Sequence, residues 1–172
     1  STGELLPVMG LGTNRWVAAG SKSEMEDLRE TLVTFKNMGG RVIDTAPSYR
    51  SSEKALGWLI DDLDFKDAFF LATKVDRDDK EAGITRMRDS LDKLGKTSVD
   101  LMQIHSLRGA ETQLDLLAEW KEQGIIRYIG ITTSRNEQFA EMEALMKSYS
   151  LDFIQLNYSL LDREADTRLL PL

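Results

Sequence analysis

Six short apolar runs recur along the chain about 30 residues apart, the span of one strand–helix–strand unit. They are PVMGLG (7–12), RVIDTA (41–46), FFLATKV (69–75), DLMQIHS (100–106), IRYIGITT (126–133) and FIQLNYS (153–159). Several are apolar almost without alternation, as expected of parallel strands covered on both faces. The stretches between them carry helical periodicity. Leu28, Leu32 and Phe35 share one face of the first, and Ile84, Met87, Leu91 and Leu94 share one face of the third. Ser23 with Glu26, and Ser134 with Glu137, match the S/T-x-x-E capping box at helix starts. Gly39, Gly40, Gly95 and Gly124 stand where helices should stop. No low-complexity linker breaks the rhythm, so residues 1–172 read as a single α/β domain.

Two architectures fit such a chain: a doubly wound sheet or a TIM-type (β/α)8 barrel. A dinucleotide-binding doubly wound sheet follows its first strand with G-x-G-x-x-G. Here the first strand gives GLGTNRW, without the third glycine, which favours the barrel.

Composition then removes whole classes of chemistry. The chain has no cysteine and one histidine. Disulfides, thiolate metal sites and zinc sites needing two histidines are excluded, so no metal is expected. The absence of cysteine and of a basic-then-apolar leader in STGELLP leads to the expectation of a reducing, cytoplasmic setting. A net charge of −7 argues against a broad nucleic-acid or membrane-binding face. No run is long and apolar enough for a membrane helix.

In a (β/α)8 barrel the chemistry gathers at the C-terminal ends of the strands. Strand two ends in Asp44, with Tyr49 just beyond; strand three ends in Lys74 and strand four in His105. Strand five ends in Thr132 and Thr133, and strand six contains Gln155 and Asn157. Each has a plain structural explanation: a turn cap for Asp44, a packed ring for Tyr49, a solvated charge for Lys74, a core imidazole for His105. Together those explanations weaken, because a lysine and a histidine closing apolar strands are costly to bury without partners. A tyrosine hydroxyl titrates near pH 10, too high for an efficient acid at neutrality. An ammonium within hydrogen-bond reach would lower that value, and a carboxylate would hold the ammonium in place. An imidazole alongside can orient a carbonyl oxygen. Such a set protonates a carbonyl oxygen, and the hydride must come from a cofactor.

In GLGTNRW, GGRVIDTAPSYRSSEKALG, FFLATKV, SVDLMQIHS, GIIRYIGITT and FIQLNYSLLDREAD, in that order and spacing, the chain resembles the aldo-keto reductase family. The resemblance implies a (β/α)8 barrel, NADPH as cofactor and a small carbonyl compound as substrate. It implies a catalytic tetrad of Asp44, Tyr49, Lys74 and His105, with Tyr49 as proton donor. Gly12, Thr13, Asn14 and Asp44 would lie along the cofactor, and Thr132, Thr133 and Gln155 would face its carboxamide. Asn14 stands where many members carry a pocket tryptophan; Trp16 either replaces it or packs in the core. Only the first six strands and five complete helices of the barrel are present. Strands one and six are therefore expected as open edges, and the 172 residues are expected to belong to a longer chain. Two alternatives stay beside the reductase: a cofactor-binding regulatory subunit and an inactive fragment. The oligomeric state stays open.

Overall fold

The computed structural model describes residues 3–172. Ser1 and Thr2, which begin STGELLP, and the side chain of Ser23 in the first capping box lie outside the described residues. The six apolar runs form strands β1 (Gly10–Gly12), β2 (Val42–Asp44), β3 (Phe70–Val75), β4 (Val99–Ile104), β5 (Ile126–Thr132) and β6 (Phe153–Gln155). Between them run α1 (Glu26–Asn37), α2 (Ser52–Asp62), α3 (Lys80–Leu94), α4 (Ala110–Glu122) and α5 (Phe139–Ser148), and a short α6 (Ala165–Arg168) follows β6.

All strand pairings are parallel, and the sheet order is β1-β2-β3-β4-β5-β6. A doubly wound sheet reverses direction at a switch point. No reversal occurs here, so sequence neighbours are always sheet neighbours, as in a (β/α)8 barrel. The six strands form the incomplete wall of such a barrel, with β1 and β6 as its two edges.

The two faces of the sheet carry separate cores. Ile43, Leu71, Val75, Met102, Ile104, Ile129 and Ile131 point outward and pack with Leu32, Leu56, Leu59, Met87, Leu91, Leu117 and Met142 of the helices. The inward face has a smaller cluster of Phe70, Ala72, Leu101 and Tyr128, joined by Leu6, Val42 and Phe153. The rings of Phe70, Tyr128 and Phe153 meet at centroid separations of 5.4–5.8 Å. They make an apolar floor beneath the C-terminal end of the strands. Trp16 is buried in the outer core, so it packs and does not line a pocket.

Helix ends follow the sequence unevenly. Gly95 closes α3 in the left-handed region (φ 64°), where glycine carries no Cβ penalty. The start of α5 differs from the capping-box expectation. Ser134 caps nothing; a 3₁₀ turn over Asn136–Gln138 comes first, and α5 begins at Phe139. The backbone N–H of Arg135 donates instead to the Thr133 hydroxyl, which pulls the chain into a tight turn and delays the helix. Among the described residues no helix is long and apolar enough to cross a membrane.

Candidate active site

The register of the sheet brings the strand-end residues to one level. Asp44 pairs with Ala72, Lys74 with Gln103, Gln103 with Gly130, and Thr132 with Gln155. With a side-chain period of two, Asp44, Lys74 and Gln103 project onto the inward face, just above the apolar floor. Beside them opens a cavity of about 430 Å³. Its walls include Asn14, Tyr49, Lys74, His105, Thr132 and Gln155.

Lys74 is 1% exposed. Its ammonium donates to both carboxylate oxygens of Asp44 at 2.7 Å and to the Thr45 carbonyl at 2.9 Å. Three protons thus meet three acceptors, which is what keeps a charge tolerable in so dry a place. Burial nevertheless pushes the lysine's pKa down, against the upward pull of Asp44. Gln103 adds a further donor to Asp44, at 3.2 Å. Gly130 makes room for it: a Cβ there would lie 3.1 Å from Gln103 Cγ and 3.0 Å from the Phe153 carbonyl.

Tyr49 stands on the turn after β2, where its N–H donates to the Ala46 carbonyl. Pro47 is buried within that turn. The tyrosine ring meets His105 edge-on, with centroids 5.8 Å apart. Lys74 Nζ lies 5.2 Å from the ring's centroid, over its face. Here the structure corrects the sequence reading, which placed the ammonium against the phenol oxygen to lower its pKa. All three ammonium protons are committed elsewhere, and Tyr49 is shifted upward, first by burial and then by the negative charge of Asp44.

His105 closes β4, and the chain then turns sharply. Ser106 and Leu107 both adopt positive φ, 54° and 58°, a conformation that costs a non-glycine residue about 1–2 kcal/mol. The strain is held from several sides. Ser106 N–H donates to Thr132 Oγ1 at 3.3 Å, Gln138 Nε2 donates to the Ser106 carbonyl at 3.2 Å, and Leu107 is buried. His105 Nδ1 lies 3.2 Å from Ser48 Oγ. Burial, and after it the charge of Lys74, lower the imidazole's pKa and favour its neutral form.

The residues expected along a cofactor divide into two groups. Gly12 and Asn14 are exposed, and the side chains of Asn14 and Gln155 make no hydrogen bond among the described residues. Thr132 accepts from Ser106 and keeps its own proton. In the second group, Thr13 and Thr133, the hydroxyls are engaged within the protein, although Thr133 also lines the cavity. Thr13 is fully buried, donating to the Asp44 carbonyl and accepting from Ser52, so its hydroxyl faces the protein interior. Thr133 donates to Gln138 Oε1 at 2.7 Å and accepts from Arg135, so its hydroxyl is spent on the turn.

Three residues were missed by sequence reasoning. Gln103 carried a signal, as a polar residue two before His105 on the same strand face. Glu53 carried none: it is buried on α2, accepting from Thr73 Oγ1 at 2.6 Å, and burial raises its pKa. Ser48, exposed in its turn, is identified only by its contact with His105.

The geometry can be set beside known proteins. The sequence profile described as "Aldo/keto reductase family" matches residues 8–172. The aldo-keto reductase YhdN of Bacillus subtilis is 29% identical over 96% of this chain and 53% of its own length. The methylglyoxal reductase DkgA of Yersinia pestis is 33% identical over 75% of this chain and 46% of its own. The chain therefore spans about half the length of these relatives. Among solved structures, a thermostable aldo-keto reductase bound to the inhibitor epalrestat superposes with a TM-score of 0.79 at 29% identity, covering 97% of this chain and 64% of that one. An aldo-keto reductase from Klebsiella pneumoniae in complex with NADPH does so at 0.79 and 26% identity, covering 96% and 59%. The strand order and the match over residues 8–172 agree: the chain belongs to the aldo/keto reductase family.

Proposed function

We propose that the protein reduces small aldehydes or ketones to alcohols, using NADPH, with Tyr49 as the proton donor. The observation that carries this reading is the convergence of Tyr49 and His105 on one cavity, with the Lys74–Asp44 pair beneath them. The amides of Gln155 and Asn14 and the hydroxyl of Thr132 are unspent donors on the same walls, a set that suits a carboxamide. Gly12 supports an approach along β1, because nothing lies within 4 Å of where its Cβ would stand. When bound, NADPH supplies the hydride. The NADPH complex of the Klebsiella pneumoniae relative supports that choice of cofactor.

His105 presents a ring nitrogen to the carbonyl oxygen and fixes its direction. As the carbon is reduced, negative charge gathers on that oxygen, and the Tyr49 hydroxyl gives it a proton. The phenolate left behind takes a proton from water, which the partial exposure of Tyr49 allows. Lys74 lies as a cation over the face of the Tyr49 ring, 5.2 Å from its centroid. Asp44, Gln103 and the Thr45 carbonyl hold that charge in place.

The test is NADPH oxidation by the full-length protein with an activated aldehyde such as 4-nitrobenzaldehyde. Removing the acid in Tyr49→Phe is expected to lower kcat by about 10²–10⁴-fold. Unchanged turnover in that variant would overturn the assignment of Tyr49.

A further inference from the structure

His105 lines the cavity, and the structure gives one of its two ring nitrogens a partner. Nδ1 lies 3.2 Å from Ser48 Oγ, while Nε2 has no hydrogen-bond partner among the described residues. His105 lines the cavity, and with Nδ1 engaged by Ser48, Nε2 is the nitrogen left for a ligand. A neutral imidazole has one N–H and one lone pair, and which nitrogen carries the proton is set by the hydrogen bond at the other. A carbonyl oxygen only accepts. With Nδ1 engaged by Ser48, His105 can hydrogen-bond it only with the proton on Nε2, the tautomer that a donor at Nδ1 favours.

We propose that Ser48 is that donor: its hydroxyl donates to Nδ1 and holds His105 as the Nε2–H tautomer. Histidines that bind metals commonly give Nδ1–H to a carboxylate or carbonyl and use Nε2 as a lone pair. A hydroxyl can act in the opposite sense, and Ser48 makes no other side-chain hydrogen bond among the described residues, so its one proton is available. The arrangement is short-range and stiff. Ser48 and Tyr49 are consecutive in the turn closed by the Tyr49 N–H to Ala46 carbonyl bond at 3.0 Å. One turn therefore presents the phenol and fixes the tautomer of the imidazole beside it. Burial lowers the imidazole's pKa and so favours the neutral ring, the state in which a tautomer exists to be chosen.

Ser48 is thus a positioning residue, acting on substrate through His105. Its consequence for catalysis rests on the reductase reading; the tautomer itself does not. The test is nitrogen NMR of the full-length protein labelled with ¹⁵N-histidine, without cofactor or substrate. The His105 signals are assigned by their loss in His105→Gln. In the unsubstituted protein Nδ1 should resonate as an unprotonated, pyridine-type nitrogen and Nε2 as a protonated, pyrrole-type one. In Ser48→Ala the two shifts should move toward each other as the tautomers mix, and Ser48→Thr, which keeps the hydroxyl, should match the unsubstituted protein. A protonated Nδ1, unchanged shifts in Ser48→Ala, or equal changes in Ser48→Ala and Ser48→Thr would overturn the proposal. In the aldehyde assay Ser48→Ala should lose about 5-fold in kcat/KM, the worth of one neutral hydrogen bond, and Ser48→Thr should recover it. NMR results as expected with no NADPH oxidation by any form would leave the tautomer standing and remove the reductase reading alone.

Discussion

At the scale of single residues, the Lys74–Asp44 pair is the most exacting contact. Lys74 is almost dry, whereas Asp44 keeps 21% of its side-chain surface in water. Removing the carboxylate's charge leaves the ammonium uncompensated over an apolar floor. Asp44→Asn is expected to lower stability by about 3 kcal/mol, the low end for breaking a buried pair because of that residual exposure. Urea unfolding would measure it; a loss below about 1 kcal/mol is typical of solvated pairs and would show that this one is solvated too. The pair was legible in the sequence because a lysine and an aspartate each close an apolar run. The stoichiometry at the ammonium was not. Nothing in RVIDTA says that the Thr45 carbonyl takes the third proton, and that detail turns Lys74 away from the phenol oxygen. The partners of the Thr13 and Thr133 hydroxyls were not legible for a related reason: a hydroxyl near a strand end has local competitors that its position along the chain does not reveal.

At the scale of elements, apolar periodicity located every strand and the five long helices, because burying one face is what makes each of them stable. Their ends were less legible. Ser134 looked like a cap and is not one, whereas Asp79 was not singled out and accepts from the Ala82 N–H at 2.8 Å at the start of α3. A cap depends on the backbone angles of its own residue, and these are set by the preceding loop more than by the residue type. Asp79→Ala should cost about 1 kcal/mol by losing that bond, read as a lowered thermal midpoint. No change would mean that α3 is held by packing alone. Because α3 follows the strand that carries Lys74, hydrogen exchange in 76–82 should rise in the same variant.

At the scale of the whole molecule, the sequential sheet leaves two edges with apolar side chains close by in the chain. Val8 precedes β1 and is fully exposed; Leu160 and Leu161 follow β6 and are 90% and 99% exposed. Unpaired parallel edges with such neighbours invite pairing with other chains. A polypeptide of these 172 residues should self-associate as its concentration rises, and Val8→Lys combined with Leu161→Lys should reduce this in sedimentation velocity. A sharp monomer at all concentrations for the unsubstituted chain would count against edge pairing. The one-directional sheet has another consequence. Since each strand hydrogen-bonds only to its neighbours in sequence, the groups proposed to handle the proton, Asp44 through His105, form one uninterrupted passage of the chain. The groups suited to the carboxamide, Asn14, Thr132 and Gln155, stand on either side of that passage. Under the proposed function the polypeptide is a linear map of the reaction, and a graft at both flanks would exchange the residues facing the hydride donor while leaving the proposed acid and its supports as one block.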